Sequence, residues 1–281
     1  MRYGVTMFAT DISMPVVDLA RACEERGLDS LWVPEHTHIP VSRRTPYPGG
    51  GDLPDMYRRC LDPFVALTAA AMVTEQLRVG TGILLHAQRD PIVTAKAVAS
   101  IDLVTNGRFA LGIGVGWNED EMADHGVDYG TRRTLGRDHV LAMRRLWEDE
   151  VASYRGTFVE MPPTWSWPKP VQKPMPVLIG GAAGPKLFDH ITEYADGWIP
   201  IGGKGITSAV PELRERFEKA GRDPAGLQVI PLGSTPDHPK LDHFERLGID
   251  EVVFNVPSET ADSVLPLLDR YAAFIDERRR A

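Results

Sequence analysis

The sequence predicts an α/β fold, a (β/α)8 TIM barrel with insertion loops at the C-terminal face of the strands. Short apolar runs alternate strictly with longer segments of helical period, which is the pattern of βα units. The alternation repeats eight times, the number barrel closure needs. A chain of 281 residues, 43% hydrophobic and 25% charged, suits one such barrel as a single domain spanning 1–281. An open doubly wound sheet is the competing architecture, and the strand count favours the barrel. No repeat of solenoid length is visible.

The elements follow in order. Strand one is Tyr3–Phe8, and the helix Pro15–Arg26 carries Val16, Leu19, Ala20 and Cys23 on one face. Strand two is Ser30–Pro34. A Pro/Gly-rich loop then runs from about His36 to Leu61 and leads to the helix Pro63–Thr74. Strand three is Leu77–Leu84, and Pro91 starts the helix Ile92–Val104. Strand four, Arg108–Gly112, runs into Gly112-Ile113-Gly114-Val115-Gly116, and a polar loop separates it from the helix Arg132–Asp149. Residues Tyr154–Pro176 hold six prolines and two tryptophans, so an irregular surface excursion is expected. Strands five to eight are Val177–Ile179, Gly197–Ile201, Leu227–Leu232 and Glu251–Val256. Their helices are Pro185–Tyr194, Ser208–Ala220, His238–Leu247 and Thr260–Arg279, the last with Ser258 as its cap.

Composition narrows the function. The net charge is −8, which disfavours a phosphate backbone as partner, so no nucleic acid is expected. Arg278-Arg279-Arg280 reads as a solvated helix end. The two cysteines, Cys23 and Cys60, make neither a disulfide framework nor a zinc site. No run reaches the roughly 18 apolar residues of a membrane helix, and the start enters a strand without a charged leader. A cytoplasmic protein without membrane contact is expected.

The chemistry centres on Glu35-His36, at the end of strand two. In a barrel this position faces the mouth of the pocket. An imidazole there can polarise an oxygen or exchange a proton during hydride transfer, with Glu35 orienting it or bonding a cofactor ring. The tips of the later strands are glycine, proline and serine, so a cofactor must supply the reactive atom. Glu35, His36, His38, His86 and Asp90 are the right donor types for a divalent metal. Strands five to eight offer no converging ligand, and no metal is expected.

Two glycine-rich loops suit a phosphate. Gly180, Gly181, Ala182, Ala183 and Gly184 lead straight into a helix, and Gly202-Gly203-Lys204-Gly205 adds a cation. The alternative is that both are tight turns. Gly112-Ile113-Gly114-Val115-Gly116 lacks the third glycine of a dinucleotide fingerprint and is followed by polar Trp117-Asn118-Glu119-Asp120 rather than a helix start. It reads instead as a strand bare enough for a flat ring to approach, as does Gly80-Thr81-Gly82. The loop 38–61, with Arg43, Arg44, Tyr47, Tyr57, Arg58 and Arg59, reads as a lid over substrate.

These residues resemble the bacterial luciferase-like monooxygenase superfamily, in particular its coenzyme F420-dependent oxidoreductases. The segments that carry the likeness are Asp29-Ser30-Leu31-Trp32-Val33-Pro34-Glu35-His36, Arg78-Val79-Gly80-Thr81-Gly82-Ile83-Leu84 and Asn106-Gly107-Arg108-Phe109-Ala110-Leu111-Gly112-Ile113-Gly114-Val115-Gly116-Trp117. Pro176–Gly184, Ala195-Asp196-Gly197-Trp198 and Leu265-Pro266-Leu267-Leu268-Asp269-Arg270-Tyr271 extend it over nearly the whole chain. The resemblance implies a (β/α)8 barrel, a homodimer, and a deazaflavin lying across the strand ends. It implies a cis peptide at Gly82–Ile83 behind the ring and places His36 beside the reactive ring. It also implies Gly116, Trp117 and Asn118 near the ring and its side chain, Gly180–Gly184 at the cofactor phosphate, and Lys204 at a substrate phosphate. F420-dependent glucose-6-phosphate dehydrogenases have an acid where this chain has Trp117 and a tryptophan where it has Pro40, which argues against glucose 6-phosphate.

Hydride transfer between F420 and a small organic substrate is therefore the expected activity. An FMN-dependent monooxygenase that shields an oxygen adduct from water is the alternative. A carrier or sensor that binds a flavin-like ligand without turnover is the third reading.

Overall fold

The structure, a computed structural model, describes residues 1–280. The first half contains β1 (Arg2–Thr6), α1 (Val16–Glu25), β2 (Ser30–Val33), α2 (Pro63–Ala71), β3 (Arg78–Thr81), α3 (Pro91–Val104), β4 (Phe109–Ile113), α4 (Glu119–Asp124) and α5 (Arg132–Glu148). The second contains β5 (Ala152–Arg155), β6 (Glu160–Thr164), β7 (Val177–Gly180), α6 (Pro185–Tyr194), β8 (Gly197–Ile199), α7 (Ile206–Lys219), β9 (Gln228–Val229), β10 (Leu232–Ser234), α8 (His238–Arg246), β11 (Glu251–Asn255) and α9 (Ala261–Arg280).

Nine strands form one curled parallel sheet in the order β10-β11-β1-β2-β3-β4-β7-β8-β9. Its terminal members, β9 and β10, are neighbours in sequence, parted only by Ile230-Pro231. The sequence reading of one strand at Leu227–Leu232 is corrected to this pair. Pro231 has no N–H to extend a ladder, so the strand is interrupted there, while bonds to both neighbours continue across it: Ile230 N and Leu232 N donate to Trp198 O (3.0 Å) and Pro200 O (2.9 Å), and Pro231 O accepts from Val253 N (3.0 Å).

The inward face of the curl is filled by Trp32, Leu178, Ile199, Ile230, Leu232 and Val253. Full burial of side chains of this size is worth about 1.5–3 kcal/mol each. At the N-terminal ends of the strands, Trp32 Nε1 donates to Ser30 Oγ (2.9 Å), and Ser30 Oγ donates to Glu251 Oε1 (2.7 Å). Arg78 neutralises Glu251 from the side. This paired, buried network plugs one end of the curl and leaves the C-terminal strand ends as the open face.

The outer helices are set by caps legible in the sequence. Asp62 accepts from Phe64 N and Val65 N with Pro63 at the first position of α2, and Asp90 accepts from Val93 N ahead of Pro91 in α3. Cys23 is fully buried, as a core filler should be, and burial pushes its thiol up.

Four expectations are corrected. Tyr154–Pro176 begins as an antiparallel hairpin, β5 with β6, because Asp138 of α5 accepts from Phe158 N (2.7 Å) and Tyr154 Oη (2.9 Å) and ties it down. A helix, α4, follows Trp117-Asn118 where a polar loop was expected. Ser258 does not cap the last helix, because its hydroxyl donates to Phe8 O (2.7 Å) and lies 3.2 Å from Thr10 Oγ1. Arg278 is not a solvated end: its side chain bonds Tyr3 Oη, Asp242 and Glu245, and docks α9 on β1 and α8.

Candidate active site

A cavity of about 840 Å3 opens at the C-terminal strand ends. Strand-end residues Thr6, Gly82, Ile83, Gly116, Leu232 and Asn255 line it, together with Tyr47, Met56 and Tyr57 of the long loop. A second cavity, about 790 Å3, lies between the end of α5 and residues 167–175, and no residue at the C-terminal end of a sheet strand lines it.

Both residues of the Glu35-His36 pair line the main cavity and are buried, with 3% and 8% of their surface exposed. They are engaged separately. His36 Nδ1 lies 2.7 Å from Glu121 Oε2, and Glu121 Oε1 accepts from Thr37 N (3.2 Å). A carboxylate only accepts, so the His36 proton sits on Nδ1 and Nε2 is left for the cavity. Glu121 is fully buried and comes from α4.

Glu35 does not touch His36. Its carboxylate accepts from Leu85 N (2.6 Å) and Arg89 Nε (2.6 Å), and Arg89 Nη2 also donates to Asp62 Oδ2 (2.7 Å). Burial raises the Glu35 carboxyl, against the pull of Arg89 and the Leu85 amide. The structure thus gives the role of orienting the imidazole to Glu121, a residue the sequence reading missed.

The Gly82–Ile83 bond is cis, at the position implied by the resemblance. Gly116 and Trp117 line the cavity. Asn118 is buried beside them, and neither of its side-chain polar atoms has a partner; the same holds for Gln88, which lies near Gly116. Gly180, Gly181, Ala182, Ala183, Gly184 and Lys204 are not among the cavity residues. Gly180 abuts the cavity residue Ile83, since a Cβ there would lie 2.7 Å from Ile83 Cγ2, and the two loops meet each other where a Cβ on Gly205 would lie 3.8 Å from the Ala183 side chain. Gly184 precedes α6, and no side chain caps that helix.

The bare-strand reading of the other glycines is corrected. A Cβ on Gly80 would lie 2.6 Å from the Trp32 ring, one on Gly112 would lie 2.2 Å from Thr81 O, and one on Gly114 would lie 2.2 Å from Ile83 Cδ1. These positions admit neighbouring protein rather than an open ring face.

His86 is a core residue. Its Nδ1 donates to Gly114 O (3.1 Å), and burial lowers it to about 4. Among the described residues, no three His, Cys, Asp or Glu side chains gather as a metal would need. Nor is any helix there long and apolar enough to cross a membrane.

Comparison with known proteins adds the family. The model of the luciferase-like monooxygenase family matches residues 13–235. The chain belongs to that family. Within it, the chain is 44% identical to an uncharacterised protein of Mycobacterium tuberculosis, over 97% of this chain and 98% of the other. It is 30% identical to an F420-dependent glucose-6-phosphate dehydrogenase of Amycolatopsis mediterranei, over 80% of this chain and 66% of that one. Among solved structures, the coenzyme F420-dependent tetrahydromethanopterin reductase of Methanopyrus kandleri superposes with a TM-score of 0.74 at 17% identity, covering 96% and 97% of the two chains. A monooxygenase from Streptomyces bottropensis gives 0.79 at 18%, covering 99% and 100%. The curled parallel sheet is thus the luciferase-like fold, shared by deazaflavin enzymes and monooxygenases alike.

Proposed function

We propose that this luciferase-like protein is an F420-dependent oxidoreductase, moving a hydride between the deazaflavin and a small organic substrate. The observation that carries the reading is His36, lining the same strand-end cavity as Gly82–Ile83 and paired at 2.7 Å with the buried Glu121. Its chemistry is proton transfer to or from a substrate oxygen, the complement of hydride transfer. When bound, F420 supplies the carbon that carries the hydride and reacts poorly with oxygen.

The residues present fit that cofactor. Gly82, Ile83, Gly116 and Trp117 would flank the ring. Asn118 and Gln88, buried and without partners, would give it hydrogen bonds. Gly180, Gly181, Ala182, Ala183 and Gly184, at the uncapped N-terminus of α6, would hold the phosphate, with Lys204 supplied by the loop beside them. Glu121 keeps the proton on His36 Nδ1. His36 Nε2 then takes the hydroxyl proton as a substrate is oxidised and returns it in reduction. Glu121 steadies the imidazolium meanwhile.

Two structural expectations belong to the same reading. Hydrogen bonds on both sides of Ile230–Leu232 support closure of the sheet into an eight-stranded (β/α)8 barrel, with β9 and β10 counted as one strand. Val65 and Met72 at α2 and Ile92, Val93, Leu103 and Val104 on α3 expose apolar side chains, which supports a homodimer through those helices.

Titration with F420 and with FMN tests the cofactor. Saturable F420 binding with FMN at least about tenfold weaker, or roughly 1.4 kcal/mol, is expected. The reverse order, with bound FMN consuming oxygen, overturns the reading in favour of a monooxygenase. His36→Ala should abolish turnover and leave F420 affinity intact.

A further inference from the structure

The long loop 38–61 turns its charges outward and its rings inward. Arg44 pairs with Asp120 (3.3 Å) and is 90% exposed. Arg58 and Arg59 both pair with Asp55, and Arg59 reaches Asp11 (2.9 Å). Arg43 donates to Thr45 O and stands 5.8 Å from the Trp117 ring centroid. None of the four lines the cavity, and no lysine or other arginine does. The one carboxylate in the lining, Glu35, is already paired with Arg89.

What the loop does present is an aromatic wall. Tyr47 and Tyr57 lie 5.3 Å apart between ring centroids, Tyr47 and Trp117 6.1 Å, and Tyr57 and Trp117 6.3 Å, all edge-to-face. Tyr57 also packs on His36 (5.1 Å) and Phe8 (4.7 Å). The polar atoms of this wall are phenol and indole groups, which can bond one neutral oxygen. They cannot compensate a buried anion, and the faces of the rings carry negative potential.

We propose that the cavity admits an uncharged, predominantly apolar carbonyl or carbinol compound and excludes phosphorylated and carboxylated ones, with Tyr47, Tyr57 and Trp117 as the residues that set this preference. The proposal rests on the hydride-transfer reading above and refines it. It separates this chain from relatives that are F420-dependent glucose-6-phosphate dehydrogenases, since none of the four loop arginines is among the residues lining the cavity.

The test uses the full-length protein loaded with F420, its binding first checked by titration, with the cofactor reduced for the ketones, which accept the hydride, and oxidised for glucose 6-phosphate, which gives one up. Turnover and equilibrium binding are compared for cyclohexanone, 2-cyclohexen-1-one and acetophenone, for 4-oxocyclohexanecarboxylate and 4-acetylbenzoate, and for glucose 6-phosphate. At least one neutral compound should exceed its carboxylate analogue about 100-fold in kcat/KM or affinity, the cost of an uncompensated buried charge. Tyr47→Lys, on the half-exposed loop, should raise the carboxylate about tenfold by placing a cation in the wall. Calorimetry on the same variant reads affinity if its turnover is lost. With F420 bound, parity or preference for the charged compounds, or no neutral compound bound or turned over, overturns the substrate class and leaves the cofactor reading standing. Failure to bind F420 overturns the hydride-transfer reading, and this proposal with it.

Discussion

Replacing Glu121 by Gln tests the hydrogen bond on which the proton chemistry depends. Glu121 is fully buried and His36 is 8% exposed, so water cannot substitute for either partner. The carboxylate accepts twice, from His36 Nδ1 at 2.7 Å and from Thr37 N at 3.2 Å. Glutamine brings one acceptor and one donor. If its oxygen stays on the Thr37 amide, its NH2 faces His36 Nδ1, which must then accept and move its proton to Nε2. The cavity would meet an N–H where it had met a lone pair. A hydrogen bond to a charged group is worth about 1.5–3 kcal/mol. Lost from the step in which His36 gains its proton, that is roughly a 10- to 150-fold fall in turnover. The tautomer can be read without any substrate, by 15N NMR of labelled histidine: protonated Nδ1 in the native protein, protonated Nε2 in Glu121→Gln. F420 affinity should not move. An unchanged tautomer together with turnover within about twofold would refute the assignment.

Three further perturbations have expected outcomes. Arg89→Ala leaves Glu35 buried without its cation and should cost about 3–5 kcal/mol in urea unfolding; Arg89→Lys should recover little, because one ammonium cannot serve both Glu35 and Asp62 as the guanidinium does. Burial lowers His86 to about 4, so as pH falls below the solution value of about 6.5 the unfolded chain takes up a proton before the folded one does. That stability is complete above about pH 6.5 and is lost progressively down to about pH 4, roughly 3 kcal/mol in all, and His86→Phe should flatten that slope in urea melts at pH 7, 5.5 and 4.5. Lys204→Ala should weaken F420 about tenfold, near 1.4 kcal/mol, if it makes a charge-assisted bond; an unchanged titration removes Lys204 from the site.

The strand–helix alternation was legible because each element announces itself locally. Asp62-Pro63 and Asp90-Pro91 mark helix starts in four or five residues, and the observed caps are those aspartates. What sequence concealed depends on partners far along the chain. The six prolines of Tyr154–Pro176 pointed to an irregular excursion, yet a two-stranded ribbon has a free side on which Pro162 and Pro163 of β6 are tolerated. It is Asp138, 16 and 20 residues earlier, that fixes it. The helix α4 was masked by polarity, although Asn118 followed by Glu119, Asp120 and Glu121 is an acidic first turn of the kind that favours a helix N-terminus.

The same distinction explains why the site was half read. Glu35 and His36 are adjacent in sequence and line one cavity, yet their side chains are held by different partners. Glu35 goes to Arg89, on the loop before α3, and through it to Asp62, the cap of α2. Its carboxylate is thus taken up by Leu85 N and Arg89 rather than by the imidazole beside it. The partner of His36 has to arrive from another strand, and it does so 85 residues later, carried by the helix that follows β4. A buried acid facing a cavity histidine has no signature in the neighbourhood of either residue. Its trace in sequence is a single charge, Glu121, set one place before the apolar Met122 on the buried face of a six-residue helix.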